Sequence, residues 1–283
     1  MKPSIWTTMI YPSTPAQAIE VLAEHGWEAF ELSCEHIADL QRLGPQAVRE
    51  YAATRDRLGV QIPQCHANIT ADVASPDPAR RGADLALIHR DIDTCSELGI
   101  RNIVIHPGGW EGASDRPTLD LINKLRLEAF AELAAHCERA GTRMAIENMA
   151  DGGGGLLGHR RFGAIVEEIL DLIQQIGSPA LGVCLDTSHA NMQALNQPAA
   201  IRTCGDKLIA LHISDNDGSG DQHKTPLYGT ADFPGIVQAL RDVDYQFSFN
   251  LEIPGEMARG FATREVAVLR SKYALAMCQW LLR

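Results

Sequence analysis

Short apolar runs alternate with amphipathic stretches along the whole chain, and this alternation constrains the fold more than any other feature. Several runs are apolar on both faces, among them residues 103–105 and 208–211. Strands that are covered on both sides are typical of parallel sheets, whereas half-exposed antiparallel strands alternate apolar and polar residues. We predict eight strands, near residues 3–10, 29–34, 61–67, 102–107, 143–148, 181–187, 208–214 and 247–253.

The stretches between the strands have the period of helices. Over residues 80–98 we expect a buried face formed by Leu85, Ile88, Ile92 and Cys95, and Gly99 is placed to end that helix. In the last helix the same spacing predicts a buried face formed by Val266, Leu269, Tyr273, Ala276 and Trp280.

Eight strand–helix units in one chain, each strand feeding one helix, predict a (β/α)₈ TIM barrel. No Pro/Gly-rich linker divides the sequence, so we predict a single domain over residues 1–283. A doubly wound open sheet is the alternative. Its ligand would need a Gly-rich first turn, and the sequence contains neither GxGxxG nor GxxxxGK[ST].

Composition narrows the class of function. The formal net charge is −11, whereas a surface that tracks nucleic-acid phosphates is normally basic. The N-terminus does not resemble a signal peptide, and no apolar run is long enough to span a bilayer. The seven cysteines are scattered through apolar segments and fit buried thiols of a reducing compartment. We therefore expect a cytoplasmic protein without a nucleic-acid or membrane partner.

The strand ends carry the chemistry. Six consecutive apolar runs end in a ligand-type side chain, at His66, His106, Glu147, Asp186, His212 and Glu252. In a parallel barrel the C-terminal strand ends open on one face, where catalytic groups lie. Carboxylates clustered there would repel one another, and a divalent cation removes that repulsion. The mixture of carboxylates and imidazoles suits Mn²⁺, Zn²⁺ or Co²⁺, so the pattern predicts a metal site at the barrel mouth.

Four further features belong to the same face. His189 follows Asp186 by one helical turn, and Asp221 and His223 form a DxH pair in the loop after the seventh strand. The DxH pair could fold over the site or form a solvated turn. Trp110, directly after HPGG, is expected to line the pocket, and Glu31 to orient substrate or accept a hydrogen bond from His66.

The motifs VIHPGG, AIEN, GVCLDTSHA, LHISDN, DQHKTPLYG and NLEIPG resemble those of the xylose-isomerase-like barrel superfamily, over about residues 3–283. This superfamily contains sugar isomerases, sugar epimerases and type IV apurinic endonucleases. The resemblance implies one divalent ion, with Mn²⁺ favoured and Zn²⁺, Co²⁺ or Mg²⁺ as alternatives. Its implied ligands are Glu147, Asp186, His212 and Glu252.

In the epimerase-like branch, the equivalents of Glu147 and Glu252 are also the catalytic acid and base, and the equivalent of His189 touches substrate. The resemblance thus implies a sugar or sugar-phosphate isomerase or epimerase that works through a metal-stabilised enediolate. Lyase activity on a keto-sugar stays open. One departure concerns the arginine that ketose 3-epimerases of this superfamily carry six residues after the metal histidine, because that position is Gly218 here.

The endonuclease branch is the alternative, since its nine ligands for three zinc ions all have counterparts here: His66, His106, Glu147, Asp186, His189, His212, Asp221, His223 and Glu252. The loops after the second and third strands, CEHIADLQRLG and ANITADVASPD, are acidic and unsuited to a DNA backbone. A small carbohydrate substrate is therefore preferred. We assign His66, His106, His189, Trp110, Asp221 and His223 to substrate binding or to support of the ligands. A non-catalytic sugar-binding barrel is the third alternative, and a homo-oligomer is compatible with all three.

Overall fold

The computed structural model describes residues 1–109, 115–151, 161–253 and 263–283. Within these residues, eight parallel strands form one sheet in the order β7-β6-β5-β4-β3-β2-β1-β8. The strands are β1 Pro3–Trp6, β2 Ala29–Leu32, β3 Gln61–His66, β4 Asn102–Ile105, β5 Arg143–Glu147, β6 Leu181–Asp186, β7 Leu208–His212 and β8 Phe249–Leu251.

The sheet closes on itself between its two ends. Ile213, directly after β7, forms a parallel bridge with Leu251 of β8. Its amide donates to the Asn250 carbonyl at 2.8 Å, and its carbonyl accepts from the Glu252 amide at 3.1 Å. The predicted (β/α)₈ TIM barrel is confirmed. The assignment of residues 1–283 to a single domain stays a prediction.

Helices surround the barrel. Their bounds are α1 Pro15–Glu24, α2 Cys34–Leu43, α3 Pro45–Leu58, α4 Pro78–Glu97, α5 Arg116–Ala140, α6 Val166–Ile176, α7 Thr187–Met192, α8 Gln197–Cys204, α9 Phe233–Asp242 and α10 Arg264–Leu281. Several begin with a proline after a capping side chain, as where Thr14 and Gln17 form a capping box at the start of α1. This pairing satisfies amide groups that the first turn would leave without partners. No helix in the described ranges is long and apolar enough to cross a membrane.

Three details of the predicted pattern are wrong. The first strand ends at Trp6, and Thr7–Ile10 form a 3₁₀ turn. The segment expected to be a loop after β2 forms α2. Two strands, β2 and β6, are each followed by two helices where one was expected.

The buried face predicted for α10 is also wrong. Val266, Leu269, Tyr273 and Trp280 are 44%, 64%, 41% and 58% exposed. The face that packs on the barrel consists of four small residues, Ala267, Ser271, Ala274 and Cys278, and of Leu281. Small side chains let a helix axis approach the layer beneath it more closely than large ones do. By contrast, Ile88, Ile92 and Cys95 of α4 are buried as predicted, as are all seven cysteines, which are free thiols.

Candidate metal centre and active site

The barrel places the predicted ligands at its C-terminal mouth. His66, Glu147, Asp186 and His212 are the last residues of β3, β5, β6 and β7, and Glu252 directly follows β8. Each of the five is at most 6% exposed. Parallel register explains the arrangement, since it brings residues far apart in sequence to one end of the sheet, as in the pairing of Asp186 with His212.

Four of these residues converge on one point. Glu147, Asp186, His212 and Glu252 each offer a ligand atom, and these atoms all lie within 4.8 Å of one another. Nδ1 of His212 is 3.4 Å from Oε2 of Glu147 and 3.3 Å from Oε2 of Glu252.

The atoms that converge lack the hydrogen bonds expected of buried polar atoms. Oε2 of Glu147, Oδ2 of Asp186, Nδ1 of His212 and Oε2 of Glu252 have no hydrogen-bond partner within the described part of the chain. A buried polar atom without a partner costs free energy, about 1–3 kcal/mol and more if it is charged. Three carboxylate oxygens and one imidazole nitrogen are suitable ligands for a divalent cation. The residues present therefore fit a metal ion.

His66 and His106 approach the same cluster from β3 and from the end of β4. Both Nε2 atoms lie 3.4 Å from Oε2 of Glu147. The His66 ring stacks on that of His212, with 5.2 Å between centroids. Moreover, His66, Glu147 and His212 form a second group whose ligand atoms lie within 4.8 Å of one another.

The DxH pair folds over the cluster. Nε2 of His223 is 2.9 Å from Oδ2 of Asp221, which is also 3.6 Å from Nε2 of His189. Nδ1 of His223 contacts the Glu252 carbonyl at 2.8 Å. The structure thus brings all nine of the candidate ligands predicted from the sequence to one site. Trp110, which was expected to line the pocket, lies outside the described residues.

The segment that carries this pair is fastened by Asp215. Its carboxylate accepts from the Gly229 amide at 2.7 Å and from the Ala231 amide at 3.2 Å. Backbone hydrogen bonds of 2.8 Å in both directions also join Asp215 to Lys224. These contacts hold the loop close to the barrel mouth.

Two residues support the ligands in ways that the sequence did not show. Glu31 was expected to orient substrate or to accept a hydrogen bond from His66. Its contact is instead with His212, with 3.0 Å between Oε1 and Nε2. Asn148 joins the ends of β5 and β6, because its side chain accepts from the Asp186 amide at 2.6 Å and donates to the Asp186 carbonyl at 3.1 Å. The sequence feature that could have indicated this role of Asn148 was its position directly after Glu147 in the motif AIEN.

The electrostatics differ between the two glutamates. Burial raises the pKa of Glu252 to about 8. Burial also acts to raise the pKa of Glu147, but the imidazoles of His212 and His106 outweigh it and hold that pKa well below its usual range. For His212, burial opposes the charged ring, yet Cys184 and, after it, the surrounding carboxylates raise its pKa well above normal. The charge on each of these groups thus depends on the balance between burial, which disfavours the charged form, and the opposite charges nearby, which favour it.

A model of the family described as xylose isomerase-like TIM barrel matches residues 19–272. The chain belongs to this family. An uncharacterized protein of Methanocaldococcus jannaschii is 25% identical over 257 residues, which cover 89% of this chain and 83% of that protein. A probable endonuclease 4 of Nitratidesulfovibrio vulgaris is 27% identical over 277 residues, which cover 90% of this chain and 93% of that protein. A D-psicose 3-epimerase of Enterocloster bolteae is 37% identical over 105 residues, which cover only 37% of this chain and 33% of that enzyme.

Several solved structures superpose on this chain over its whole length. A D-tagatose 3-epimerase-like protein gives a TM-score of 0.80 at 23% identity and covers 100% of this chain and 98% of that one. The IOLI protein, solved with a zinc atom, gives a TM-score of 0.81 at 16% identity with the same coverage. At these identities the likeness confirms the barrel fold.

Proposed function

We propose that this family member is a divalent-metal-dependent isomerase or epimerase of sugars or sugar phosphates. The observation that carries the proposal is the pair of buried carboxylates, Glu147 and Glu252, whose Oε2 atoms converge on His212 without hydrogen-bond partners among the described residues. Relatives named as sugar epimerases support the same class.

Glu147, Asp186, His212 and Glu252 would hold one ion, and we propose Mn²⁺ ahead of Zn²⁺, Co²⁺ or Mg²⁺ because three of the four ligands are carboxylates. When bound, the ion polarises the substrate carbonyl and stabilises the negative charge that develops on its oxygen.

The two glutamates would carry the proton transfers. One carboxylate removes the proton from the carbon next to the substrate carbonyl, and the electron pair moves towards the carbonyl oxygen. Return of a proton to the former carbonyl carbon, together with transfer of the hydroxyl proton from one oxygen to the other, gives the isomer. Return of the proton to the opposite face of the original carbon gives the epimer. His66, His106, His189 and His223 surround this pair with imidazole groups that can contact substrate hydroxyls.

The proposal is tested with a panel of keto- and aldo-sugars, free and phosphorylated, incubated with Mn²⁺ in deuterated water. We expect deuterium at the carbon next to the carbonyl, and we expect Glu147→Gln and Glu252→Gln each to slow incorporation at least 100-fold. The exposed Glu28→Gln is the matched control and should leave the rate unchanged. Full-rate exchange in either active-site variant would show that the two-carboxylate mechanism is wrong. Sugar binding without any exchange would favour the non-catalytic barrel.

The second candidate is an apurinic endonuclease with a multinuclear zinc site. It is favoured by the nine clustered residues and by the relatives named as probable endonuclease 4. We rank it lower because the chain has a net charge of −11 and the segments 34–44 and 67–77 are acidic. Incision of an oligonucleotide with one abasic site, in the presence of Zn²⁺, would reverse this order.

Three expectations stay predictions: a role of Trp110 in the pocket, a cytoplasmic location, and assembly as a homo-oligomer. Sedimentation velocity measures the last of these directly. The carbohydrate substrate is part of the proposal above and is tested with it.

A further inference from the structure

A second cluster of metal-ligand side chains lies outside the barrel, on the neighbouring helices α4 and α5. His89 and Asp93 are one turn apart on α4, and Glu132 and His136 are one turn apart on α5. The two imidazoles face each other through their Nδ1 edges, with 4.7 Å between ring centroids and 28° between planes. Their Nδ1 atoms are 2.5 Å apart.

Each imidazole is held from its other side by a carboxylate of the opposite helix. Nε2 of His89 lies 2.7 Å from Oε1 of Glu132, and Nε2 of His136 lies 2.8 Å from Oδ1 of Asp93. When both Nε2–H groups donate to these carboxylates, both Nδ1 atoms present lone pairs to the same point. Two lone pairs this close repel each other unless a positive ion lies between them.

This arrangement matches the surroundings of metal-bound histidines, which commonly donate the other ring N–H to a carboxylate. We propose that His89 and His136 bind a divalent transition-metal ion through their Nδ1 atoms, with water completing the coordination. Glu132 and Asp93 fix the tautomer of each ring and partly neutralise the charge of the ion. The site is independent of the function proposed for the barrel mouth.

The geometry allows an ion to enter with a small movement. Metal–nitrogen bonds of about 2.0–2.1 Å in a tetrahedral site separate the two nitrogens by roughly 3.3 Å, so the rings must part by somewhat less than an ångström and turn until both lone pairs point at the ion. The side chains of His89 and His136 are 25% and 19% exposed, which leaves them room to move and access to water.

The two sites should differ in metal preference. Imidazole ligands favour Zn²⁺, Ni²⁺ and Cu²⁺, whereas a carboxylate-rich site also accepts Mn²⁺. A bound ion would join α4 to α5, the helices that flank β4 in sequence. We therefore expect the outer site to take Zn²⁺ and to leave Mn²⁺ unbound.

The test compares Zn²⁺ binding by the full chain and by the H89Q/H136Q double variant, using competition with a chromophoric chelator. The barrel site contributes equally to both proteins, so we expect the double variant to bind one equivalent fewer per chain. In wild type, Cu²⁺ should also give an electron paramagnetic resonance spectrum with coupling to two imidazole nitrogens, and this signal should be absent from the variant.

Further variants make the result specific. H25Q, which removes another partly buried histidine, should keep the wild-type number of Zn²⁺ equivalents. E132Q and D93N should keep that number with affinity lowered roughly tenfold or more. Should the double variant not fold, H89Q and H136Q alone should each lower the affinity at least tenfold. Equal Zn²⁺ binding by wild type and the histidine variants would overturn the proposal and would show that the rings share only a proton.

Discussion

Nε2 of His212 lies 3.0 Å from Oε1 of Glu31, although the two residues are 181 positions apart in the sequence. Both are fully buried. The side-chain amide of Asn250 donates to the second oxygen of Glu31 and so fixes the carboxylate. Because Nε2 is engaged in this way, His212 presents Nδ1 to Glu147 and Glu252.

We predict that Glu31→Gln weakens divalent-metal binding by roughly 10–100-fold, the usual cost of losing a carboxylate behind a ligating histidine. The new amide can donate towards Nε2, which favours the wrong tautomer of His212. Calorimetric titration with Mn²⁺ measures the change. Glu28→Gln, which removes only an exposed partner of Lys2, is the control. Equal affinities for wild type and Glu31→Gln would mean that Glu31 does not orient His212.

Metal affinity should depend on pH in a defined direction. Burial raises the pKa of Glu252 to about 8 in the metal-free protein, and a ligating carboxylate must be ionised. The metal-bound state thus holds fewer protons, so affinity should rise with pH through about 8, where Glu252 ionises, and should keep rising as His212, whose pKa lies well above normal, loses its proton. Below about pH 8 the affinity should fall by up to tenfold per pH unit for each proton displaced. Calorimetry in buffers of different ionisation enthalpy counts the protons released, and constant affinity between pH 6 and 9 would contradict the prediction.

Removal of the metal should destabilise the fold. An ion at 100 times its dissociation constant stabilises the native state by about 2.7 kcal/mol, which corresponds to roughly 5 °C or more in Tm for a domain of this size. We expect a chelator to lower Tm by that amount and excess Mn²⁺ to restore it. Asp186→Asn should show neither effect. If chelation leaves the Tm of the wild-type protein unchanged, no tightly bound metal contributes to the fold.

Substitutions at two glycines test whether the position of the loop that carries Asp221 and His223 matters for turnover. A Cβ at Gly229 would lie 2.0 Å from the Asn216 carbonyl oxygen and 2.3 Å from Oδ1 of Asp215, whereas at Gly220 it would meet nothing within 4 Å. Gly229→Ala should therefore displace the loop, cost about 1–3 kcal/mol of stability and lower turnover at least tenfold. Gly220→Ala should leave both unchanged. Equal turnover in the two variants would show that the position of the loop does not matter.

The sequence predicted the barrel and the ring of ligands because both follow from one periodic rule. Each apolar run is a strand, and the C-terminal ends of the parallel strands all lie at the mouth of the barrel. The rule needs only sequence spacing, and it placed Glu147, Asp186 and His212 at strand ends in the structure.

The predictions that failed depend on contacts between elements that are distant in the sequence. The contact between Glu31 and His212 joins distant strands, and no local pattern encodes it. In α10 the large apolar residues suggested one face, yet the face that packs is that of Ala267, Ser271 and Ala274. Which stripe is buried depends on how closely the helix approaches the barrel, and this distance is set by the layer beneath it.

Glu147, Asp186, His212 and Glu252 are proposed to hold one divalent ion. Titration of the full chain with Mn²⁺ tests this binding without a substrate, because the paramagnetic resonance signal of free Mn²⁺ reports how much of the ion is unbound. We expect one tightly bound Mn²⁺ per chain, and we expect Asp186→Asn and Glu147→Gln each to weaken binding at least 100-fold. Wild-type Mn²⁺ affinity in these variants, or no binding by the wild-type protein, would contradict the account.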